Sequence, residues 1–461
     1  MTHRPFASAD PALDEEVALL ADADQRARSY IAGIGSRPVF PTERDIAGLS
    51  AFRESLPGEG HAPSSTVRLL DDVGSAGAVE TNGGRYFGFV TGATLPVAAA
   101  ADRIALAWDN SGTSSAGSPV SAVIEDVAAG WLLDILDLPR SSAVGFTTSA
   151  SAGTVIALAA ARRSLLAAHG WDLDRAGLAG SPTIRVVASE LAHVVVIKAL
   201  RILGFGLDNI EWAPVDDFGR IDPEKLPALD SSTILILQAG EVNSGEFDPF
   251  DRVIAIAESA GAWVHVDGAF GLWARASKHR ELTSGVDRAN SWTVDGHKWL
   301  NTPYDSAMVI ARDPDALVGA MKSEAVYLPP APDAQRNRTL EFSRRARGIP
   351  VWAALRTLGR AGVADLVERT MSLASYAADG LREAGYDVLN RVTLNQVLVA
   401  TDDPEQTQRV LLAAQQSGRT WFGQTSWRGQ LAFRISVSSW RTTRADIDDL
   451  VDLLRSLRHI G

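Results

Sequence analysis

The chain has 461 residues, 46% hydrophobic and 22% charged, a balance typical of a globular protein too large for one simple core. Its 44 basic against 56 acidic residues give a net charge of −12, which argues against binding to nucleic acids or anionic membranes. The absence of cysteine excludes disulfides, thiolate nucleophiles and thiolate metal sites. Since neither a signal-peptide pattern nor a run of about eighteen apolar residues occurs, we expect a cytoplasmic protein without a membrane span.

Residues 1–79 hold charged, helix-like stretches interrupted by proline- and glycine-rich turns, and we expect them to form an arm that packs on another surface. From 80 to 347, short apolar β-branched runs alternate with helical patterns. The predicted strands are 183–189, 233–239, 262–267 and 307–312, and the predicted helices are 151–169, 192–203 and 249–260. This alternation predicts an α/β domain with a mainly parallel central sheet covered by helices on both faces.

After residue 347 the pattern changes to a helix at 351–385, then short strands, a helix at 404–417 and a closing helix from 443. We therefore expect a smaller C-terminal α+β domain over 348–461, next to a large domain over 80–347.

Asp267 ends a predicted buried strand, and ligands of open α/β sheets sit at the carboxyl ends of the strands. Lys298 follows after the next strand-like piece, in the stretch "DGHKW", so both side chains can face one crevice. Such a pair can be a buried ion pair, or it can serve a cofactor site in which the lysine forms a Schiff base. The spacing leaves both interpretations open.

The stretches "VHVDGAFG" and "DGHKWLNTPYDSAMVIAR" resemble those of the group II pyridoxal-phosphate-dependent decarboxylases, the glutamate and aromatic-L-amino-acid decarboxylase family. The likeness continues in the family's order through further segments, which are 118–139, 145–163, 189–204 and 427–448. It covers most of residues 80–461. The resemblance implies a fold type I, aspartate-aminotransferase-like enzyme with pyridoxal 5'-phosphate as its cofactor and an L-amino acid as its substrate.

Three catalytic roles follow from the resemblance. Lys298 carries the cofactor as an imine, Asp267 keeps the pyridine nitrogen protonated, and His193 stacks on the ring. The cofactor-binding residues that it implies are Ser149, Ser151, Ala152, His193, Gln238, Asn243, Asp267, Ala269, Asp295, His297 and Lys298. The family often has a serine where Ala152 stands, so a backbone N–H must serve the phosphate there. No metal is expected.

The reaction that the resemblance implies is decarboxylation, which releases CO₂ and an amine. Transamination, oxidative deamination and aldol-type cleavage stay open on the same site, because the sequence does not show which Cα bond is held perpendicular to the ring. The family's proton-donating loop tyrosine is not evident. Tyr327 stands only at the start of the matching stretch, and the tyrosine position falls near Gln335. His193, Lys298 and Tyr327 are therefore all candidate proton donors.

Candidate substrate contacts are Tyr86, Phe87 and Phe89, which could equally be core residues. Thr113 and Ser115 stand where the family has bulky rings. Arginines between 336 and 347 can bind an acidic substrate or form an ordinary solvated face. The sequence does not choose between aromatic and acidic amino acids.

A metalloenzyme using His265, Asp267 and His297 is an alternative in principle, since two histidines and a carboxylate suit zinc or iron. The family pattern already explains these residues more fully. A binding protein that has kept the fold without its chemistry is a further alternative, against which Lys298 and Asp267 argue. In the family the site lies between two subunits, so we expect a homodimer with shared active sites, to which Gly92, Thr94 and residues 111–119 of the neighbour contribute.

Overall fold

The computed structural model describes residues 11–322 and 334–458. Its helices are α1 (Pro11–Ala32), α2 (Glu43–Gly48), α3 (Pro63–Leu69), α4 (Ser75–Gly77), α5 (Pro96–Trp108), α6 (Pro119–Ile135), α7 (Ala150–Ala168), α8 (Leu173–Ala176), α9 (Val194–Ile202), α10 (Phe250–Ala260), α11 (Pro314–Met321), α12 (Gly348–Glu383), α13 (Pro404–Gln416) and α14 (Arg444–Leu457). Its strands are β1 (Ala143–Thr147), β2 (Arg185–Ser189), β3 (Ile210–Ala213), β4 (Thr233–Gln238), β5 (Trp263–Asp267), β6 (Ser291–Asp295), β7 (Ala307–Ala311), β8 (Asp387–Val388), β9 (Gln396–Ala400), β10 (Gly423–Trp427) and β11 (Gln430–Ser436).

Seven strands form the large sheet, in the order β1-β7-β6-β5-β4-β2-β3. The strands β3, β2, β4, β5 and β6 run parallel, whereas β7 is antiparallel to both of its neighbours, β1 and β6. The expected mainly parallel sheet of a fold type I enzyme is therefore confirmed. Because the connections of a parallel sheet cross over its faces, helices cover both sides.

The central strands bury side chains on both faces, which is why their sequences are continuously apolar. In β4, Leu235 and Leu237 belong to the core that includes Trp273, whereas Ile234 and Ile236 belong to the core under α7 and α9. The sheet is therefore a rigid central layer that fixes where the strand ends lie.

A second sheet, in the order β10-β11-β9-β8, is wholly antiparallel and lies in the C-terminal part of the chain. Helices α12, α13 and α14 supply side chains to its core. Residues before the large sheet also reach it, because Tyr86 forms a β-bridge with Trp421 and Phe87 packs in this core. The domain limits at 80 and 347 stay predictions.

The arm before residue 80 is mostly helical and lies largely on the surface. Helix α1 contains no buried residue. Even its large apolar side chains are exposed: Leu13 by 45%, Val17 by 58% and Leu20 by 61%. None of the helices within the described ranges is long and apolar enough to cross a bilayer.

Candidate active site

Asp267 lies at the end of β5, where the register of the parallel strands places Gln238 of β4 directly beside it. The carboxylate is 7% exposed, and its Oδ1 accepts the N–H of Ala269 at 3.1 Å. The Nε2 of Gln238 is buried and has no hydrogen-bond partner in the described structure. A buried amide donor without a partner is costly, so this point at the strand ends suits a ligand with an acceptor atom.

Lys298 lies in the turn that follows β6. Its Nζ is 3.3 Å from Oδ2 of Asp295 and 5.9 Å from the centre of the Phe270 ring. The turn is held by the N–H of Gly296, which donates to Ser306 O at 2.9 Å. At Gly92 the neighbouring backbone comes so close that a Cβ would collide with the carbonyl oxygen of Lys298. The lysine is therefore rigidly placed on a buried turn.

Asp295 joins that turn to α7. Its Oδ1 accepts the N–H of Ala150 at 2.7 Å, in the first turn of the helix. His297 lies on the other side, with Nε2 3.8 Å from Asp295 Oδ2 and Nδ1 2.7 Å from Ser306 O. Burial lowers the pKa of His297, and the Asp295 carboxylate opposes this.

The N-terminus of α7 lies next to Asp295 and is built to face an anion. Ser149 is its N-cap, and the Ser149 hydroxyl accepts the N–H of Ala152 at a long 3.4 Å. Ser151 and Ala152 are only partly buried. First-turn amides and the helix dipole favour a phosphate at such a place.

His193 is the N-cap of α9, and its Nδ1 accepts the N–H of Val195 at 3.3 Å. Burial lowers its pKa; the Asp267 carboxylate opposes this shift, whereas the cations Lys298 and Arg434 add to it. The ring is therefore neutral at pH 7, with its proton on Nε2, and it lies within the electrostatic reach of Asp267, Lys298 and Arg434.

Asn243 lies in the loop after β4 and ties that loop to the C-terminal sheet. Its Oδ1 accepts the hydroxyl of Thr425 at 2.6 Å, and its backbone N–H donates to Glu241 at 2.8 Å. The side chain of Asn243 is therefore engaged by protein partners rather than left open to the crevice.

Arg434 is a residue of this site that the sequence interpretation missed. Its Nη1 donates to Val242 O at 2.7 Å, and burial lowers its pKa, while the nearby Glu241 opposes this. Phe433, its neighbour in β11, belongs to the C-terminal core, so Arg434 points to the opposite face of the strand. A lone arginine inside the apolar stretch "LAFRIS" is the signal that could have identified it.

The structure places the predicted substrate-binding residues in different environments. Phe87 is only 1% exposed and belongs to the C-terminal core, so its expected role in a substrate pocket is wrong. Thr113 donates its hydroxyl to Phe342 O at 3.0 Å, in a loop beside α6. Tyr86 and Phe89 both lie against Trp421, at ring distances of 5.1 and 5.2 Å.

Two of the arginines between 336 and 347 form ion pairs that stabilise the fold. Arg344 bonds Glu125 through both Nη atoms at 2.8 and 2.7 Å, and Arg347 bonds Asp305 at 3.2 Å. Gln335 donates to and accepts from the backbone of β1, so no proton donor replaces the family tyrosine there. Tyr327 lies outside the described residues.

The metal-site alternative is not supported by the placement of its side chains. His265 is fully buried with Nδ1 2.9 Å from Ser291 Oγ, whereas His297 faces Asp295 and Ser306. Within residues 11–322 and 334–458 no group of three or more ligating side chains could hold a metal ion.

The assembled groups fit pyridoxal 5'-phosphate in their chemistry. Asp267 suits a protonated pyridine nitrogen, Lys298 suits an aldehyde, and the first turn of α7 suits a phosphate. The unpartnered Nε2 of Gln238 adds a donor beside Asp267.

Comparison with known proteins also indicates pyridoxal 5'-phosphate as the cofactor. The model of the pyridoxal-dependent decarboxylase conserved domain matches residues 79–399. Tryptophan decarboxylase 1 of Oryza sativa subsp. japonica is 26% identical over 454 residues, covering 89% of this chain and 87% of that protein. Aromatic-L-amino-acid decarboxylase of Bacillus atrophaeus is 24% identical over 450 residues, covering 92% and 91%.

Solved structures share the fold. The crystal structure of Oryza sativa TDC with PLP and tryptamine matches with a TM-score of 0.88 at 23% identity, covering 99% of both chains. Mouse CSAD in its apo form matches with a TM-score of 0.88 at 21% identity, covering 97% of this chain and 99% of the other. Since the family model spans well over half of the sequence, this chain belongs to the pyridoxal-dependent decarboxylase family.

Proposed function

We propose that this enzyme releases CO₂ from an L-amino acid in the crevice between the ends of β5 and β6 and the C-terminal sheet. The observation that carries the proposal is the placement of Asp267 beside Gln238 at the ends of two neighbouring strands, with Lys298 in the turn after the next strand, 3.3 Å from Asp295. A buried carboxylate, an amide donor without a partner among the described residues, and an amine thus lie at one edge of the sheet.

Pyridoxal 5'-phosphate, when bound, supplies the electron sink for the bond that breaks at Cα. Asp267 would hold a proton on the ring nitrogen, because a buried carboxylate favours a cation beside it. The first-turn amides of α7 would hold the phosphate. The Nζ of Lys298, which lies 3.3 Å from Asp295 Oδ2, would hold the aldehyde, and the ring of His193 would pack against the cofactor.

Arg434 holds the carboxylate of the substrate. Only one hydrogen bond of its guanidinium, to Val242 O, is part of the described structure. An arginine can donate five N–H bonds, so Arg434 retains donors for a planar carboxylate beside the cofactor. Such a contact orients the Cα–carboxylate bond, and the orientation of that bond selects the reaction.

The proton that replaces CO₂ must come from a nearby group. Among the described residues, His193 and Lys298 are the candidates. Because Nδ1 of His193 accepts from Val195, its Nε2 carries the proton and can donate it.

The experiment that tests the reaction is a product balance with a panel of L-amino acids. We expect one mole of CO₂ and one mole of amine for each mole of substrate consumed. Formation of a keto acid or an aldehyde without matching amine would instead show transamination or an oxidative reaction.

We also propose that the enzyme is a homodimer with shared active sites and works in the cytoplasm. The exposed side chains of Leu13, Val17 and Leu20 recur at helical spacing on α1, and a second copy of the chain would cover them. The cytoplasmic location is an expectation from the sequence and is tested by imaging a fluorescent fusion.

A further inference from the structure

Tyr86 and Phe89, two candidate substrate contacts from the sequence, form an aromatic surface together with Trp421, which the sequence did not indicate. The rings of Tyr86 and Trp421 stack at 5.1 Å with an interplanar angle of 7°, and Phe89 leans on Trp421 at 5.2 Å and 39°. The backbone secures the contact, because Phe87 N–H donates to Trp421 O at 2.8 Å. Tyr86, Phe89 and Trp421 are called the aromatic wall below.

Gly88 makes room for the indole of Trp421. A Cβ at Gly88 would collide with Cζ3 of that indole, whereas a Cβ at Gly423 would make only an ordinary contact at 3.8 Å from its Cη2. The indole therefore packs closely against the backbone at Gly88.

The aromatic wall lies beside the substrate carboxylate site. Gly423 is paired with Arg434 in the antiparallel register of β10 and β11. Side chains opposite each other share a face of the sheet, and so do residues two apart on one strand. Trp421 continues the extended chain two residues before Gly423, so its indole is on the same face as Arg434.

The segment from Tyr86 to Gly92 links the wall to the cofactor lysine. At its far end, the N–H of Gly92 donates to His297 O at 3.3 Å. At its near end, burial raises the pKa of the Tyr86 phenol, and Tyr304 adds to this shift. The Tyr304 ring in turn stacks on His297 at 4.3 Å. The Gly92 end of the segment therefore packs against the turn that carries Lys298.

Phe89 shows that the wall offers an apolar surface. Its side chain is 64% exposed, and its φ of 53° is in the left-handed region that non-glycine residues rarely adopt. The next residue, Val90, shares this conformation with φ 58°. Strained backbone that holds a large aromatic ring in the open is typical of a ligand contact.

We propose that Trp421 is the specificity-determining residue of this enzyme, and that the aromatic wall selects L-amino acids with an aromatic side chain. This rests on the proposed function, since the carboxylate of the substrate must be held at Arg434 for its side chain to reach the wall. An aromatic side chain packs against the exposed Phe89 ring and the partly exposed Trp421 indole, which the buried Tyr86 supports from behind. The three aromatic side chains offer no cation to the side-chain carboxylate of an acidic substrate.

The test compares Trp421→Ala and Trp421→Phe with the unchanged holoenzyme, and Trp171→Phe is the matched control. Trp171 follows the far end of α7, about 28 Å along that helix from Ser149. Binding of phenylethylamine is measured by calorimetry, and kcat/KM is measured for phenylalanine and for glutamate. Visible absorbance of the bound cofactor verifies that each variant is loaded and folded.

We expect Trp421→Ala to weaken phenylethylamine binding about ten-fold and to lower the phenylalanine-to-glutamate ratio of kcat/KM similarly. Trp421→Phe keeps a ring and should remain within about three-fold, as should the control. Unchanged amine binding in Trp421→Ala, or a preference of the unchanged enzyme for glutamate, would overturn the proposal. If amine binding depends on Trp421 but no amino acid yields CO₂, the proposed function fails and the aromatic wall stands.

Discussion

The amine of Lys298 lies 3.3 Å from Oδ2 of Asp295, and the other oxygen of that carboxylate accepts the N–H of Ala150 at 2.7 Å. One aspartate therefore links the lysine proposed to hold the cofactor aldehyde to the helix proposed to hold its phosphate. Asp295 therefore makes two distinct contacts, one with Lys298 and one with Ala150, and a substitution can change one and keep the other.

Replacing Asp295 with asparagine keeps an acceptor for Ala150 but turns a neutral amide, with its N–H₂ donor, toward the lysine. We expect cofactor affinity to fall by roughly ten-fold or more, because a charge-assisted contact is lost. Titration of the apoenzyme with pyridoxal 5'-phosphate, followed by visible absorbance, measures it. Asp172→Asn is the matched control, since Asp172 caps the short helix α8. Equal affinity in both variants would contradict the role given to Asp295.

Arg434 can be tested by comparing the substrate with the product. The amine product lacks the carboxylate, so Arg434→Met should raise KM for the amino acid and leave the inhibition constant of the amine nearly unchanged. The expected rise is about 10- to 100-fold, the range of a lost hydrogen bond to a charged group. If both constants change by the same factor, Arg434 supports the fold or the cofactor instead of the substrate carboxylate.

His265 predicts a pH effect on stability. Burial lowers its pKa to about 4, although the Asp267 carboxylate opposes this. An unfolded histidine titrates near ~6.5, so between about pH 6.5 and 4 the unfolded chain takes up a proton that the folded state does not. Each pH unit in that window lowers the free energy of unfolding by about 1.4 kcal/mol, or roughly 3 kcal/mol in all.

The measurement is Tm for the unchanged protein and for His265→Asn between about pH 7.5 and 4.5. We expect the variant to be less stable at high pH, because it loses packing around Ser291, and the difference in Tm to shrink as the pH falls. The buried carboxyls of Glu80 and Asp248, whose pKa values burial raises to about 7, act in the opposite direction but are common to both proteins. A constant difference in Tm would contradict the prediction.

The apolar stripe on α1 predicts how the chain associates. Val17→Asp combined with Leu20→Asp should convert a dimer into a monomer, because two carboxylates would be buried without partners at the interface. Light scattering after size-exclusion chromatography gives the mass. Glu16→Lys, on the charged part of the same helix, should leave the dimer intact. If the protein without substitutions is already a monomer, the apolar stripe on α1 does not form a dimer interface.

Much of the fold could be predicted from apolar periodicity. The expected strands at 183–189 and 262–267 are observed as Arg185–Ser189 and Trp263–Asp267, because parallel strands buried on both faces give continuous apolar runs. The predicted helix at 351–385 is observed over Gly348–Glu383. Its interruption at Gly359, with φ 59° and ψ −175°, was not expected, since one glycine within a helical pattern does not by itself indicate a break.

The site was only partly predictable. Asp267 and Lys298 follow recognisable strand patterns, and the structure brings both within the electrostatic reach of His193. Arg434 lies in β11 of the other sheet and Trp421 lies just before β10, and only the pairing of distant segments brings them near Tyr86. Phe87 was assigned to the wrong environment because side chains alternate between the two faces of an extended segment, and the sequence does not show which face is core.

The covalent attachment of the cofactor to Lys298 is the claim on which the mechanism depends. The chain has five lysines, of which Lys198, Lys225, Lys278 and Lys322 are exposed on the surface. Borohydride reduction of the holoenzyme followed by peptide mapping should therefore give an unambiguous answer. The account predicts one pyridoxyl group per chain, on Lys298. Modification of another lysine, or a Lys298→Ala variant that retains full turnover, would contradict it.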